Sequence, residues 1–301
     1  MKDISERAEL IEGKVIRAVG GFFYIRKVDG EVLEAKARGK MRRIIGEIIV
    51  GDMVICDFEE EQLIVTAIKP RRNYLLRPPL ANVDKVVLVF ALAKPEPDWL
   101  LLDRLLVFAE QQKIEPIIFL SKADLVEFDS LKEIREKYEH TKYPLIIGSE
   151  EDPCCIATLQ LQLDQGVVVL AGPSGVGKSS LMNRIFPDLN LLTGTVSERR
   201  DRGRHTTRHV QLYPLASGAL IADTPGFSSF ENESIAPRDL ADYFPEMRQV
   251  LGQCRFTSCM HLSEPNCAVK DLLNEGKISL KRYNSYVLLL QEMKLREQNR
   301  Y

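Results

Sequence analysis

The sequence predicts a multidomain chain with a small β-barrel at its N-terminus, a central α/β domain built on a parallel sheet, and a mainly helical C-terminal domain. Three observations carry that expectation. Short apolar stretches punctuated by glycine and aspartate fill the first 72 residues, β-branched runs alternate with helical stretches from about residue 80, and helical spacing resumes around a cysteine cluster beyond residue 230. The expected domains are 1–72, 73–230 and 231–301, and 301 residues are indeed more than one ordinary core holds.

In the first zone, residues 13–19, 22–26, 32–36, 53–57 and 63–68 each read as a short strand, with no convincing helix between them. About five such strands suit a Greek-key barrel of the OB type, with an SH3-like barrel as the near alternative. The stretch from Lys69 to Pro79 mixes prolines with basic residues and reads as a linker. Farther on, apolar runs at 85–91, 116–120, 144–147 and 166–171 alternate with helices expected at 98–112 and 129–139, the pattern of a parallel sheet covered on both faces. Ligand-binding loops should follow the carboxyl ends of those strands. A charged helix is expected at 277–298.

Forty-one basic residues face 43 acidic ones, so the chain does not coat nucleic acid by bulk charge, and any basic binding face must be local. One candidate lies in the barrel. Phe22, Phe23 and Tyr24 with Arg26 and Lys27, and the acid-free stretch from Lys36 to Arg43, place stacking surfaces beside phosphate-binding charge. Strand alternation sends at least one of the three aromatics into the core. The opening residues Met1 to Arg7 are charged, and the longest apolar run, Val86 to Ala93, is far short of a membrane span, so a soluble cytoplasmic protein without membrane association is expected.

Several motifs carry chemistry. Gly172-Pro-Ser-Gly-Val-Gly-Lys-Ser179 matches G-x-x-x-x-G-K-[ST] between an apolar strand and a helix, the context this motif requires. Its glycines let backbone N–H groups face phosphates, Lys178 neutralises β- and γ-phosphate charge, and the Ser179 hydroxyl can ligate Mg²⁺. Gly172, Pro173, Ser174, Gly175, Val176, Gly177, Lys178, Ser179 and Ser180 are therefore candidate nucleotide-binding residues. Asp223-Thr-Pro-Gly226 follows another apolar strand, with a carboxylate that can hold Mg²⁺ through water and a Gly226 N–H that can reach a γ-phosphate.

Ser121-Lys-Ala-Asp124 also ends an apolar strand. Asp124 can accept from guanine N1–H and the 2-amino group, donors that adenine does not present in that arrangement, while Lys122 would lie along the base plane. Ser121 stands where Asn or Thr is usual and has a shorter reach. Gly148-Ser149-Glu150 is the companion base loop, with a backbone N–H of Ser149 available and Glu150 where alanine is usual. The base motif precedes the phosphate loop, the reverse of ordinary guanine-nucleotide switches, so the central domain reads as a circularly permuted P-loop GTPase. Lastly, Cys254-x₄-Cys259-x-His261-x₅-Cys267 gathers three thiols and an imidazole within 14 residues, a set suited to one structural, tetrahedral Zn²⁺.

Taken with Gly203-Arg-His-Thr-Thr207 and Asp223-Thr-Pro-Gly-Phe227, these residues resemble the circularly permuted GTPases of small ribosomal subunit biogenesis over nearly the whole chain. The resemblance implies GTP hydrolysis coupled to binding and release of the small subunit late in its maturation, with rRNA contact through the barrel. Phe227 stands where many GTPases carry a water-orienting glutamine, and the resemblance points instead to His205 as the catalytic residue. Thr206 or Thr207 would supply the hydroxyl that senses Mg²⁺ and the γ-phosphate. The basic stretch from Glu198 to Arg208 suits either rRNA contact or a solvated loop. A monomer is expected. Two other readings are a P-loop ATPase or nucleotide kinase, which competition between GTP and ATP tests, and a zinc/OB nucleic-acid-binding module that uses nucleotide structurally, which GTP turnover with small subunits tests.

Overall fold

The computed structural model describes residues 10–37, 46–149, 151–186, 210–223 and 235–299. Its strands and helices run in the order β1 (Ile11–Val19), β2 (Phe22–Arg26), β3 (Val32–Lys36), β4 (Met53–Glu59), β5 (Gln62–Ile68), β6 (Tyr74–Leu76), β7 (Pro79–Ala81) and β8 (Lys85–Ala91). There follow α1 (Trp99–Gln111), β9 (Glu115–Ser121), α2 (Phe128–Tyr138), β10 (Leu145–Ile147), α3 (Pro153–Gln162), β11 (Val167–Ala171) and α4 (Lys178–Ile185). Then come β12 (Gln211–Pro214), β13 (Leu220–Asp223), α5 (Pro245–Arg248), α6 (Ala268–Asn274) and α7 (Leu280–Gln298). Two compact units result: the first takes the described residues up to Lys85, Leu163–Val169 and those of 194–225, and the second takes the rest. Among the described residues no helix is long and apolar enough to cross a membrane.

In the first unit, β1 pairs antiparallel with both β2 and β4, β4 pairs antiparallel with β5, and β3 runs parallel to β5. The order 1-2-3-5-4-1 closes a five-stranded barrel of the OB type, which decides between the two barrel alternatives. Alternating residues fill it, among them Val15, Phe23, Ile25, Ala35, Val54, Cys56, Leu63 and Val65. Phe23 is the aromatic that turns inward. Phe22 and Tyr24 face outward, with Lys36 Nζ 4.9 Å from the Phe22 ring centre and the Arg17 guanidinium 5.1 Å from that of Tyr24. On the other side β1 meets β12, β12 pairs antiparallel with β13, and β13 runs parallel to Val167 and Val168 of β11.

The stretch expected as a linker is a hairpin. β6 and β7 pair, Leu75 and Leu80 are buried, and the Asn73 and Asn82 amides donate to the carbonyls of Val83 and Gly51. Gly51 has φ +90°, and a Cβ there would lie 2.0 Å from the Ala81 carbonyl oxygen, so only glycine allows this approach. Two of the basic residues that suggested a linker are ion-paired: Arg71 donates to the buried Asp52 at 2.7 Å and Arg72 pairs with Asp84. Composition misled because long-range partners neutralise those charges.

The second unit carries strands in the order β10, β9, β8 and the Leu170–Ala171 end of β11, with β9 and β10 parallel. Residues 86–91 and 116–121 are buried throughout, as continuous apolar runs covered on both faces should be. Helix α1 begins where the Asp98 carboxylate accepts the Leu101 N–H at 2.9 Å and turns Leu102, Leu105, Leu106 and Ala109 inward at helical spacing. The C-terminal helical region forms its own core from Phe244, Met247, Val269, Ile278, Tyr286, Leu289 and Leu290, joined by Val107 of α1. Phe244 meets Tyr286 edge-on at 5.4 Å.

A buried ionic network joins α7 to α1, α2 and α5. The Arg282 side chain is only 1% exposed, and it donates to Asp103 Oδ1 at 2.7 Å and Glu246 Oε1 at 2.8 Å while lying over the Phe244 ring. Lys137 Nζ stands 2.9 Å from the second Asp103 oxygen, and the Tyr138 hydroxyl donates to Asp103 at 3.1 Å. Two acids and two bases leave the cluster neutral. Burial by itself would raise the Asp103 carboxyl, but Arg282 and Lys137 outweigh it and hold this group below its ordinary value.

Arg282→Ala would leave Asp103 and Glu246 without their shared partner, and urea unfolding should show about 3–5 kcal/mol of lost stability. Because the Asp103 value is lowered in the folded state, its contribution is complete above the unfolded value of about 4 and fades as pH falls through the folded one. An acid unfolding limb unchanged in Arg282→Ala would count against this assignment.

Candidate functional site

Three loops meet at the carboxyl ends of strands in the second unit. The first, Gly172 to Gly177, leaves β11 and enters α4, with Gly172, Gly175 and Gly177 all at positive φ. Gly172 has φ +143°, and a Cβ there would lie 2.1 Å from the Val89 carbonyl oxygen of β8. Lys178, at the first position of α4, folds its ammonium back to the carbonyl oxygens of Gly172 at 2.8 Å and Pro173 at 2.5 Å. Burial lowers its pKa. Ser174, Gly175, Ser179 and Ser180 are exposed, whereas Val176 is buried.

The second loop follows β9. Ser121 is buried, Lys122 adopts the left-handed conformation at φ 60° and donates its ammonium to the Lys94 carbonyl, and Asp124 is exposed within a short 3₁₀ turn. The third loop follows β10. Gly148 N–H donates to Leu120 O at 3.0 Å and its carbonyl accepts the Ala123 N–H at 3.1 Å, which ties the second and third loops together through the backbone. The half-buried Ser149 accepts the Glu151 N–H at its hydroxyl. A Cβ at Gly148 would lie 2.1 Å from the Cys155 sulfur of α3, a contact that sequence reading missed because α3 itself carried no recognised motif. The Ser121 hydroxyl stands 3.2 Å from Val176 O, joining the second loop to the first.

Asp223 is the last residue of β13 and pairs with Gln211 across the ladder. His205, Thr206, Thr207, Gly226 and Phe227 lie outside the described residues, as does Glu150.

The four cysteine and histidine positions come together. Ligand atoms of Cys254, Cys259, His261 and Cys267 all lie within 4.8 Å of one another. His261 Nδ1 is 3.4 Å from the Cys267 sulfur and 3.6 Å from that of Cys254, and those two sulfurs are 3.9 Å apart. Ligands at about 2.0–2.3 Å from a tetrahedral centre stand roughly 3.3–3.8 Å apart, so the set fits a cation such as Zn²⁺. Burial pushes the Cys259 thiol up to about 12 and lowers His261, and a bound cation would reverse the cost of ionising the thiols.

The supports of this cluster were not legible from its spacing. The Glu264 carboxylate accepts the N–H groups of Met260 and Leu262 at 2.8 and 2.7 Å, and the Tyr283 and Tyr286 hydroxyls of α7 donate to the carbonyls of His261 and Met260. These bonds hold His261 at φ 58°, a conformation that L residues rarely adopt.

A barrel of OB topology, a glycine-rich loop between strand and helix, and a base motif that precedes it define a circularly permuted P-loop GTPase. The chain belongs to the RsgA GTPase family: that family's model matches residues 68–233, and the model of the RsgA N-terminal domain matches residues 12–63. A relative from Halalkalibacterium halodurans named small ribosomal subunit biogenesis GTPase RsgA is 43% identical over 294 residues, covering 96% of this chain and 99% of its own. The Bacillus subtilis protein of the same name is 40% identical and covers 95% and 98%. Among solved structures, YloQ, described as a circularly permuted GTPase, is similar with TM-score 0.82 and 36% identity over 98% of this chain and 99% of that one. YjeQ from Thermotoga maritima gives 0.81 and 33% over 95% and 99%.

Gly172→Ala should displace either the loop or the end of β8, because the new methyl meets a backbone carbonyl at 2.1 Å and the φ is one that alanine avoids. A fall in melting temperature matching about 2 kcal/mol or more is expected from calorimetry. A wild-type melting temperature would show that the close approach is not retained in solution.

Proposed function

We propose that this protein is a GTP hydrolase that binds the small ribosomal subunit and its rRNA as a late maturation factor, with nucleotide state governing binding and release. The observation that carries this reading is the convergence of the phosphate loop with two base loops, in a chain whose near-full-length relatives bear the name small ribosomal subunit biogenesis GTPase.

In this reading Asp124 selects guanine, Lys122 flanks the base and Ser149 offers its backbone N–H. Residues Gly172 to Ser180 wrap the phosphates. Lys178 would exchange two loop carbonyls for phosphate oxygens, regaining a full counter-charge for a half-buried ammonium. By their motif positions in the sequence, the Ser179 hydroxyl would ligate Mg²⁺ and Asp223 would act on it through water, the ion supplying positive charge to the phosphates. From sequence alone, Gly226 would donate to the γ-phosphate, Thr206 or Thr207 would sense it, and His205 would orient the attacking water. Cys254, Cys259, His261 and Cys267 would hold one structural Zn²⁺ that fixes the loop beneath α7. The outer barrel face, with Phe22, Tyr24, Arg17 and Lys36, suits stacking and phosphate contact with rRNA. The protein would work as a monomer in the cytoplasm.

GTP hydrolysis measured alone, with purified small subunits and with large subunits should accelerate only with the small subunit; equal rates in all three would sink the reading. His205→Ala should keep GTP affinity within about two-fold while lowering stimulated turnover by about 10²-fold, the usual range for losing such a group. Chelation at neutral pH should release one zinc per chain and lower the melting temperature, and metal analysis that finds no zinc in the purified protein would refute the metal assignment.

A further inference from the structure

Two adjacent cysteines, Cys154 and Cys155, stand in the first turn of α3, apart from the cysteine and histidine cluster. Cys154 is exposed. Cys155 is half-buried: its thiol donates to Asp152 Oδ2 at 3.2 Å, and its sulfur lies against Gly148, 2.1 Å from where a Cβ of that residue would stand. The other Asp152 oxygen accepts the Cys154 N–H at 2.9 Å, and the Asp152 N–H donates to the Ser149 carbonyl at 3.1 Å. One residue thus joins both cysteines to the loop after β10.

The two thiols meet different surroundings. Burial and the Asp152 carboxylate raise the Cys155 pKa, whereas Cys154 is the thiol that an oxidant in solution reaches first. An accessible thiol beside a second one able to attack it is the arrangement that oxidants convert to a disulfide. The helix stands in the way. Successive helical side chains diverge by about 100°, and neighbouring Cα atoms lie about 3.8 Å apart, against about 4.4–6.8 Å across an ordinary disulfide. The sulfurs can join only if the first turn opens.

We propose that Cys154 and Cys155 are a redox modification site, at which a peroxide closes a disulfide between neighbours, opens the first turn of α3 and draws the Cys155 sulfur away from Gly148. The Cys154 sulfur attacks one peroxide oxygen and the O–O bond breaks, giving a sulfenic acid while the other oxygen leaves with the thiol proton. The Cys155 sulfur then attacks that of Cys154, the S–O bond breaks, and the hydroxyl leaves with the Cys155 proton as water. Two thiols lose two electrons and two protons, and the peroxide takes both. A strained bond of this kind is easily reduced, so thiol reductants reopen it. Gly148 is paired with Leu120 and Ala123, so losing its support disturbs the loops after β9 and β10 together. The consequence for binding rests on the guanine-nucleotide reading given above, in which those two loops hold the base.

The test treats full-length wild type, Cys154→Ser and Cys155→Ser with hydrogen peroxide and reads peptide mass and GDP affinity. Cleavage after Lys142 and Lys178 releases one peptide that contains both cysteines and no other. In wild type that peptide should become two hydrogens lighter and resist alkylation while GDP affinity falls about ten-fold, and dithiothreitol should restore both. Cys154→Ser should bind GDP within about two-fold of reduced wild type and keep that affinity in peroxide. Cys155→Ser cannot close the bond, so its peptide should gain oxygen instead. A wild-type peptide that gains oxygen without losing hydrogen overturns the site, as does a disulfide that leaves GDP affinity unchanged. An equal loss of affinity in Cys154→Ser would trace the effect to other residues and also overturn it. Reduced wild type that fails to bind GDP refutes the guanine reading instead, while the peptide mass still decides whether the disulfide forms.

Discussion

The second unit depends on a buried salt-bridge network in which Arg282 answers two carboxylates and Lys137 answers one of them again. Removing four charges from water costs several kcal/mol each, and the arrangement is tolerable only because every charge faces an opposite one at hydrogen-bond distance. That requirement fixes geometry. Asp103 sits on α1, Lys137 and Tyr138 on α2, Glu246 on α5 and Arg282 on α7, so none of these helices can slide without stranding a charge. Apolar contacts around Phe244 and Tyr286 supply attraction, and the ionic network supplies register.

The same helix α7 supports the cysteine and histidine loop. Next to Arg282 and one turn beyond it, Tyr283 and Tyr286 reach the carbonyls of His261 and Met260, while Glu264 gathers two N–H groups from the same loop. Two kinds of polar constraint therefore share one helix. Charges fix its place against α1 and α2, and neutral hydroxyls fix the ligand loop against it.

At the three loops that follow β9, β10 and β11, close approach plays the corresponding part. Gly172 against the Val89 carbonyl leaves no room for a methyl group, Gly148 lies against the Cys155 side chain, and the backbone bonds between Gly148, Leu120 and Ala123 join neighbouring strand ends. A loop that must present many N–H groups to one ligand cannot carry side chains on its inner surface. Glycine frees that surface and gives up rigidity, which the bonds of Lys178 and Ser121 restore.

What the sequence determined by itself is local. Alternation in the first 72 residues specified five strands, the glycines and lysine between strand and helix specified the phosphate loop, and the spacing from Cys254 to Cys267 specified a four-ligand cluster, because each depends on residues near one another in the chain. Tertiary structure decided the rest. Lys69 to Pro79 became a hairpin only because Asp52, Gly51 and Asp84 met it, Arg282 found Asp103 across 179 positions, and Ser121 turned toward Val176 rather than outward. The physical reason is common to all three: a polar group's partner is chosen by which groups packing leaves within about 3 Å, and composition and spacing do not encode that distance.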